Sequence, residues 1–512
     1  MRSVLSVTLL ACMLALTSCH RSETDKNTVV MLIENSPNDL DLRIGTDAQS
    51  EHIGALIFDS LVHKDQNFNL QPWLAESWQQ RDPLTWTFHI RHGVRFHNGQ
   101  PLTAADVAWT LDSITGQTPN GALLTPKSGN FATIDRVEAT DDYTVVIHLK
   151  RPDAALLFNL SDGDIGIVPR GSGDMGQHPI GTGPFRFVSQ VPDKEVILER
   201  NPGWWQTPPS IPRIRFAVVP DTITRALELQ KGSADAAMNA VTADMTEALR
   251  KDSNLVIESG PGAELNYINF NTTDPVLHDA RVRQAINCAI DRPLIIRTLW
   301  RGQARIANSI LPIGHWAYFD ASSSAACPAF DPERAKSLLE AAGFPAAANG
   351  IRLRLTMKTS TDETSRSLAA IIQQQLRAVG IQLDLRSSEF ASFYADVTRG
   401  AFQMYPLRWV GGNEDPDIFR LVYATASAPP HGYNRGRYSN PQVDSLLATA
   451  NAETDPAARR ATYMQVQQQL AADMPAINLW YLDTVLIHSQ RLTNVQPSPS
   501  ADYFFMVNAR LQ

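Results

Sequence analysis

The sequence has 512 residues, of which 43% are hydrophobic and 19% are charged, and its formal net charge is −8. This length exceeds what one hydrophobic core usually serves, so we expect two or three lobes. The acidic balance, without any long run of Lys or Arg, argues against nucleic acid as a partner.

A short export signal opens the sequence. Residues 4–16 form an apolar stretch that is too short to span a bilayer, and a Leu-Thr-Ser-Cys motif follows it at 16–19. This motif resembles a bacterial lipobox, which is cleaved before its cysteine and acylated there. We therefore expect a lipoprotein signal peptide over 1–18, a lipid anchor on Cys19 and a polar tether over 19–28. The alternative is an ordinary signal peptide that a cysteine follows by chance.

Predicted strands and helices alternate along the rest of the chain. Apolar stripes at helical spacing follow Thr103, Asp279 and Asp331, so each of these residues is expected to cap a helix, and Gly343 is expected to end the third one. This mixture predicts an α/β fold with more than one sheet. Strands are predicted where apolar residues alternate with polar ones. Those apolar residues are Trp86, Phe88 and Ile90, then Tyr143, Val145, Ile147 and Leu149, then Ile214, Phe216 and Val218.

Two cysteines, Cys288 and Cys327, lie outside the predicted signal and anchor. An exported chain permits a disulfide between them. Cys288 lies on a helix that is predicted to be buried, so a packed free thiol is an equal alternative. The sequence leaves both open.

Reaction machinery is missing from the sequence. It contains no GxxxxGK[ST] phosphate loop, no GxSxG elbow, no HExxH and no CxxC. Asp415 and Asp417 flank Pro416, a spacing that fits a turn better than a catalytic pair. We therefore predict a protein that is not an enzyme and that needs no metal or cofactor.

A series of ordered motifs carries a family resemblance. The longest is LAESW at 74–78 with TWTFHIRHGVRFHNGQPLTAADV at 85–107, which has the physical form of a strand, a tight turn and a capped helix. After it come IGTGPF at 180–185, NPGWW at 201–205, NFN at 269–271, DARVRQAI at 279–286, AIDR at 289–292, YSNPQVD at 438–444 and DMPAI at 473–477. Together they resemble the family 5 solute-binding proteins, which include dipeptide-, oligopeptide- and nickel-binding proteins. The resemblance covers about residues 29–510.

The resemblance implies an α/β fold of the periplasmic-binding-protein type II (cluster C). Such a fold has two lobes joined by a hinge, with an extra small lobe in this family, and the two lobes close over a solute. By resemblance, lobe I comprises residues 29–47, 176–264 and 485–512, the small lobe comprises 48–175, and lobe II comprises 265–484.

The resemblance also points to a ligand-reading segment at 409–419. In peptide-binding members this segment begins with a Trp, here Trp409 as a stacking wall, and holds an Asp that binds the α-ammonium of the peptide. In this sequence that Asp position falls on Gly412. Because a buried ammonium without a counter-ion is costly, either Glu414 or Asp415 takes over, or the solute has no free α-ammonium. We favour a solute without one, such as a modified peptide or an opine-like compound.

The set of predicted ligand-binding residues is wider than this segment. Arg408 is a candidate for a ligand carboxylate, although alternation along its strand turns it away from the face of Trp409. The full set is Trp409, Gly412, Asn413, Glu414, Asp415, Asp417, Arg408 and Asn271.

The function that the resemblance implies is that of a substrate-binding lipoprotein of an ABC importer. It would capture a peptide or peptide-like polar solute and deliver it to a membrane permease, as a monomer anchored at the periplasmic face of a bacterial membrane. Two alternatives stay open. One is a binder of a nickel chelate or another non-peptide solute, for which His431 is the candidate ligand. The other is a ligand-sensing protein coupled to a receptor.

Overall fold

The computed structural model describes residues 26–118, 123, 125–161, 163, 165–409, 415–429, 432–453 and 455–512. Its strands, in chain order, are β1 (Thr28–Ile33), β2 (Val62–Lys64), β3 (Leu70–Pro72), β4 (Ala75–Asp82), β5 (Thr85–Ile90), β6 (Ile134–Asp141), β7 (Thr144–Leu149), β8 (Phe185–Val191), β9 (Glu195–Arg200), β10 (Arg213–Val218), β11 (Ala236–Met238), β12 (Leu255–Gly260), β13 (Leu265–Phe270), β14 (Ala304–Ile306), β15 (Leu353–Ser360), β16 (Ile381–Ser388), β17 (Met404–Trp409), β18 (Ala476–Leu482), β19 (Thr484–Ser489), β20 (Leu492–Thr493) and β21 (Arg510–Leu511).

The helices alternate with these strands. They are α1 (Ala48–Ile57), α2 (Ala104–Thr115), α3 (Leu156–Asn159), α4 (Thr222–Lys231), α5 (Ala243–Leu249), α6 (Ala280–Cys288), α7 (Arg292–Leu299), α8 (Pro332–Ala341), α9 (Glu363–Ala378), α10 (Phe390–Arg399), α11 (Ile418–Tyr423), α12 (Pro441–Ala452) and α13 (Pro456–Asp473). Short 3₁₀ turns lie at Pro126–Phe131, Ser322–Ser324, Thr425–Ser427 and Phe504–Val507.

The seven-stranded sheet joins segments that are far apart in the sequence. Its strand order is β12-β19-β11-β1-β10-β9-β8, and β1 runs parallel to both β10 and β11. Every residue of β1 is buried. Val29 and Met31 pack into one core and Val30 and Leu32 into another, because both faces of the sheet are covered.

The six-stranded sheet has the order β14-β18-β13-β17-β15-β16 and is also covered on both faces. Along β13, Ile268 and Phe270 belong to one core, whereas Leu265 and Tyr267 belong to the other. A shift of register at Asn266, where β13 pairs with β18, locally interrupts the ladder. The predicted α/β fold with more than one sheet is therefore confirmed.

A separate four-stranded antiparallel sheet, of order β4-β5-β7-β6, has its own core. The buried carboxylate of Asp59 ties this core to the segments that precede β8 and follow β9. It accepts hydrogen bonds from the indole N–H of Trp73 at 2.8 Å, the indole N–H of Trp205 at 3.0 Å and the hydroxyl of Thr182 at 2.8 Å. Nearby, the backbone at Gly181 packs directly against the Ile57 carbonyl oxygen. A Cβ at residue 181 would lie 2.0 Å from that oxygen, so the close packing of these two backbone segments requires glycine.

The chain passes twice between the seven-stranded and six-stranded sheets. The first passage joins β12 to β13 over 261–264, and the second joins β18 to β19 at Asp483. The two passages contact each other, because the Leu482 N–H donates to the Glu264 carbonyl at 3.0 Å. A Cβ at Gly262 would lie 2.2 Å from the Leu482 carbonyl oxygen, so the close approach of the two passages depends on that glycine.

The helix starts predicted from caps are confirmed. Asp279 and Asp331 accept backbone N–H groups of the first turns of α6 and α8, at 2.8 and 2.9 Å. Thr103 precedes α2, and its backbone N–H donates to the Asp106 carboxylate at 2.8 Å. Gly343 has a φ of +90° just after α8, as expected of a residue that ends a helix.

Cys288 and Cys327 form a disulfide with a Cα–Cα distance of 5.3 Å. Of the two alternatives that the sequence left open, the structure therefore has the bridge. Both cysteines are buried, so the burial predicted for Cys288 did not decide between a thiol and a bridge. None of the helices in the described ranges is both long and apolar enough to cross a bilayer.

Candidate functional site

A cleft of about 1150 Å³ opens at the carboxyl ends of the parallel strands β1 and β11. Glu34 follows β1 and Asn239 follows β11, and both line the cleft. Ala263 and Glu264 line it from the first passage, and Arg408 lines it from β17. Ligands of open α/β sheets bind outside the carboxyl ends of the strands, so the cleft lies where a binding site is expected.

The cleft wall next to the seven-stranded sheet is acidic. Glu34 and Glu51 each lie 3.4 Å from a cation, Arg225 and Lys127 respectively. Asp502 accepts hydrogen bonds of 2.6 Å from two serine hydroxyls. Burial alone would raise the pKa of Asp502, but these hydrogen bonds hold the pKa below its usual value. Each of these three carboxylates therefore already has a partner within the protein.

Arg408 faces the cleft from the opposite side. Its Nη1 lies 3.1 Å from Glu264 Oε1, and 61% of its side chain is exposed. Trp409, the next residue, packs instead against a core of the six-stranded sheet. The expectation from strand alternation, that the two side chains point away from each other, is confirmed. The carboxylate that Arg408 meets here is one of the protein's own.

The Trp409 side chain stands among other rings at the end of β17. Its ring contacts Tyr433 edge-on at a centroid distance of 5.4 Å. The Arg435 guanidinium carbon lies 5.8 Å from the same ring. The indole N–H of Trp409 is buried and has no hydrogen-bond acceptor among the residues that the structure describes.

Asp415 and Asp417 are engaged by arginines. Asp415 Oδ1 lies 3.2 Å from Arg459 Nη2, and Asp417 donates its backbone N–H to the Asp415 carboxylate at 2.7 Å. Asp417 accepts a 2.8 Å hydrogen bond from Arg420 Nε. Burial raises the pKa of Asp417, an effect that Arg420 partly offsets. The turn predicted around Pro416 is confirmed, because the Asp415 carbonyl accepts the Ile418 N–H at 3.1 Å.

Asn271 lies at the other end of the same strand pair. Residue 265 pairs with Trp409, whereas the Asn271 N–H donates to the Gln403 carbonyl, just before β17. The two ends of β17 are roughly 17 Å apart at the usual rise of a strand. The Asn271 amide donates to the carbonyls of Gly400 and Phe402 at 3.3 and 3.1 Å. The structure therefore does not bring Asn271 together with Trp409.

Several predicted site residues lie outside the described residues. These are Gly412, Asn413, Glu414, the lipidation candidate Cys19 and the metal-ligand candidate His431. Across the described ranges, no group of three or more His, Cys, Asp or Glu side chains is placed to hold a metal ion.

The structure adds residues that sequence reasoning missed. Arg435 approaches Trp409 from the segment before α12, and Arg459 reaches Asp415 from α13. No local sequence pattern indicated that Arg459 would pair with Asp415, because the two residues are 44 positions apart in the sequence. Arg435 stands three residues before the motif YSNPQVD, which contributed to the family resemblance but did not itself indicate a ligand-binding residue.

Two covered sheets, a double passage between them and a cleft beside that passage define the class of two-lobed, type II solute-binding proteins. The chain belongs to the bacterial extracellular solute-binding proteins, family 5, whose "Middle" region matches residues 69–429. It is 30% identical to the glutathione-binding protein GsiB of Pectobacterium atrosepticum over 489 residues, which cover 93% of each chain. It is 26% identical to the dipeptide-binding protein of Escherichia coli, with 88% of each chain covered.

A solved structure agrees with this assignment. HbpA2 from Haemophilus parasuis superposes with a TM-score of 0.83 at 25% identity, covering 95% of this chain and all of that one (100%). The expected family and its type II fold are therefore confirmed.

Replacing Arg459 by methionine should destabilise the protein. Asp415 would keep a mostly buried carboxylate, 13% exposed, without its partner, so we expect the free energy of unfolding to fall by about 3 kcal/mol. Urea unfolding followed by circular dichroism measures the change. Asp415→Asn in the same chain should recover part of the loss.

The matched control is Arg460→Met, which removes the same charge from an exposed position of α13. It should change the stability by no more than about 0.5 kcal/mol. Equal losses in the Arg459 and Arg460 variants would show that the pair with Asp415 contributes nothing.

Proposed function

We propose that the protein captures a peptide or peptide-like polar solute in the cleft and delivers it to the permease of an ABC importer, without catalysing a reaction. The observation that carries this proposal is the cleft of about 1150 Å³, bordered by both large sheets and placed beside the two passages. The relatives support the chemical class, because one is a glutathione-binding protein and another a dipeptide-binding protein.

Closure of the cleft is part of the proposal. Pockets that bury a small ligand usually measure about 300–1000 Å³, so a cleft of about 1150 Å³ must narrow to enclose one. Residues 29–47, 176–264 and 485–512 would move as lobe I and residues 265–484 as lobe II. The small lobe, 48–175, would follow lobe I, since Asp59 bonds to Trp205 and Thr182. The two passages would bend as the hinge.

A bound solute should compact and stabilise the mature chain. We expect N-acetyl-Met-Leu, a peptide without a free α-ammonium, to reduce the radius of gyration measured by X-ray scattering and to raise the melting temperature. Glutathione and Met-Leu are the matching probes that carry a free ammonium. At a ligand concentration of 100 times Kd the stabilisation is about 2.7 kcal/mol. Mass spectrometry of the material released on denaturation identifies retained cargo. A higher melting temperature at constant radius would contradict hinge closure, and failure of all three probes to bind would contradict a peptide solute.

The choice among peptide-like solutes depends on Gly412. We infer that Gly412 removes the site that holds an α-ammonium in peptide-binding members, so that a solute without a free ammonium binds better. The structure supports this through Asp415, the alternative ammonium partner, because Arg459 already lies 3.2 Å from its carboxylate. Asp417, two residues further on, is bonded to Arg420.

Restoring the carboxylate with Gly412→Asp should improve binding of unmodified Met-Leu. A charge-assisted hydrogen bond contributes about 1.5–3 kcal/mol, which is roughly one to two decades in Kd. Calorimetry with Met-Leu and N-acetyl-Met-Leu measures it. Gly412→Asn adds a side chain of the same shape without the charge and should gain nothing. If the unaltered protein already binds Met-Leu at micromolar Kd, Gly412 does not have this role.

We also propose that acylated Cys19 anchors the protein at the periplasmic face of a bacterial membrane, where it acts as a monomer. Cys19→Ala should then release the protein from the membrane fraction, because each buried CH₂ of an acyl chain contributes about 0.8 kcal/mol to anchoring. Metabolic labelling with an alkyne fatty acid, followed by fractionation, measures this. Equal labelling of the variant and the unaltered chain would exclude acylation at Cys19.

A further inference from the structure

Arg435 is a buried cation without an anion among the described residues. Only 6% of it is exposed. Nη1 donates to the Tyr267 hydroxyl at 3.3 Å and Nη2 to the Tyr394 hydroxyl at 2.7 Å. Within the described ranges no Asp or Glu forms an ion pair with it. A guanidinium has five N–H donors, so these two bonds leave most of its donor capacity unused.

Other buried arginines of this half of the molecule are compensated. Arg459 lies 3.2 Å from a carboxylate oxygen of Asp415. Arg283 and Arg292 donate to backbone carbonyls, for example to Met474 at 2.9 Å and to Ala307 at 3.0 Å. Arg435 has only phenol hydroxyls as side-chain hydrogen-bond acceptors in the described part of the chain. A buried charge is costly unless it is paired, so Arg435 is poised to gain from an anionic partner.

Aromatic rings surround this guanidinium. Its carbon lies 5.1 Å from the ring centre of Tyr394, 5.3 Å from that of Tyr433 and 5.8 Å from that of Trp409. Contact with ring faces attracts a cation by about 0.5–2 kcal/mol but does not neutralise it. The planar edge of a guanidinium held between rings stays able to bind a carboxylate with two parallel hydrogen bonds.

The rings around Arg435 are open to solvent on their outer side. Tyr433 is 43% exposed, Tyr394 is 36% exposed and Phe390, which stacks on Tyr394 at 5.8 Å, is 54% exposed. They come from α10 and from the segment before α12, and they meet Trp409 at the end of β17. An exposed aromatic surface next to a buried cation matches an organic acid, with an apolar body beside its carboxylate.

We propose that the solute site extends past cleft-lining Arg408 to the rings at the end of β17. There Arg435 binds a carboxylate of the solute, and Trp409, Tyr433 and Tyr394 pack against the apolar part beside it. The inference rests on the proposed function and deepens it, because it assigns a polarity to the bound solute. The anionic end of the solute then lies at the end of β17, where Trp409 stands.

Four probes test the carboxylate separately from the ammonium: Met-Leu, N-acetyl-Met-Leu and the C-terminal amide of each. We expect Arg435→Gln to weaken binding of the two carboxylate probes by about ten- to a hundredfold and to leave both amides within about twofold. Arg435→Lys keeps the positive charge but loses the planar pair of N–H donors that a guanidinium offers to a carboxylate. It should therefore weaken binding of the two carboxylate probes only, and by a smaller factor than Arg435→Gln. Calorimetry on the mature chain gives the dissociation constants.

The matched control is Arg437→Gln, which removes the same charge two residues away. It should leave all four dissociation constants unchanged. If Arg435 only holds the rings in place, Arg435→Gln will weaken carboxylates and amides by the same factor, and that result overturns the inference. Unchanged binding of the carboxylate probes in Arg435→Gln overturns it as well.

If the unaltered protein binds none of the four probes, the peptide proposal fails. The carboxylate site at Arg435 is then tested with acetate as the only ligand. Acetate at constant ionic strength should raise the melting temperature of the unaltered protein in a saturable way. Arg435→Gln should show no such rise, whereas Arg437→Gln should behave like the unaltered protein. A rise of the same size in all three proteins would overturn the assignment of Arg435.

Discussion

The contact between the two passages of the chain constrains the whole molecule. Leu482 donates its N–H to the Glu264 carbonyl at 3.0 Å, and Gly262 leaves room for the Leu482 carbonyl oxygen. Each large sheet has its own cores on both faces, so the passages fix where the two sheets meet. The cleft lies beside this junction and is lined by Glu264 itself. A bend at one point therefore changes the distance between the two walls that face a solute.

Features set by local sequence were the most predictable. Caps such as Thr103 and Asp331 form bonds within the first helical turn, and period-two alternation marks strands such as β5 and β10. The assignment to a family rested on motifs that are mainly turns, caps and packing contacts. Local sequence of this kind predicts individual helices and strands. The arrangement of these helices and strands was predicted only because the motifs resemble a family whose fold is known.

The candidate site was less predictable, because its partners are distant in sequence. Asp415 appeared free to bind an ammonium until the structure placed Arg459 beside it, 44 residues later. Cys288 was predicted to be buried, which is true of a thiol and of a bridge alike. Arg435 gained its significance only from three rings that come from separate segments. No periodicity or spacing encodes such encounters, since they depend on tertiary packing.

The strand order of the seven-stranded sheet has a consequence for biogenesis. β19 is contributed late in the sequence, yet it lies between β12 and β11, with β1 as the next strand. During synthesis and export β12 therefore has no neighbour in the sheet, and β11 lacks one of its two, until β19 arrives. The disulfide, by contrast, closes within one stretch of the six-stranded half, with a separation of 39 residues. The six-stranded sheet nevertheless also awaits a late segment, because β18 lies between β14 and β13. A nascent chain therefore completes neither large sheet until its C-terminal part has emerged.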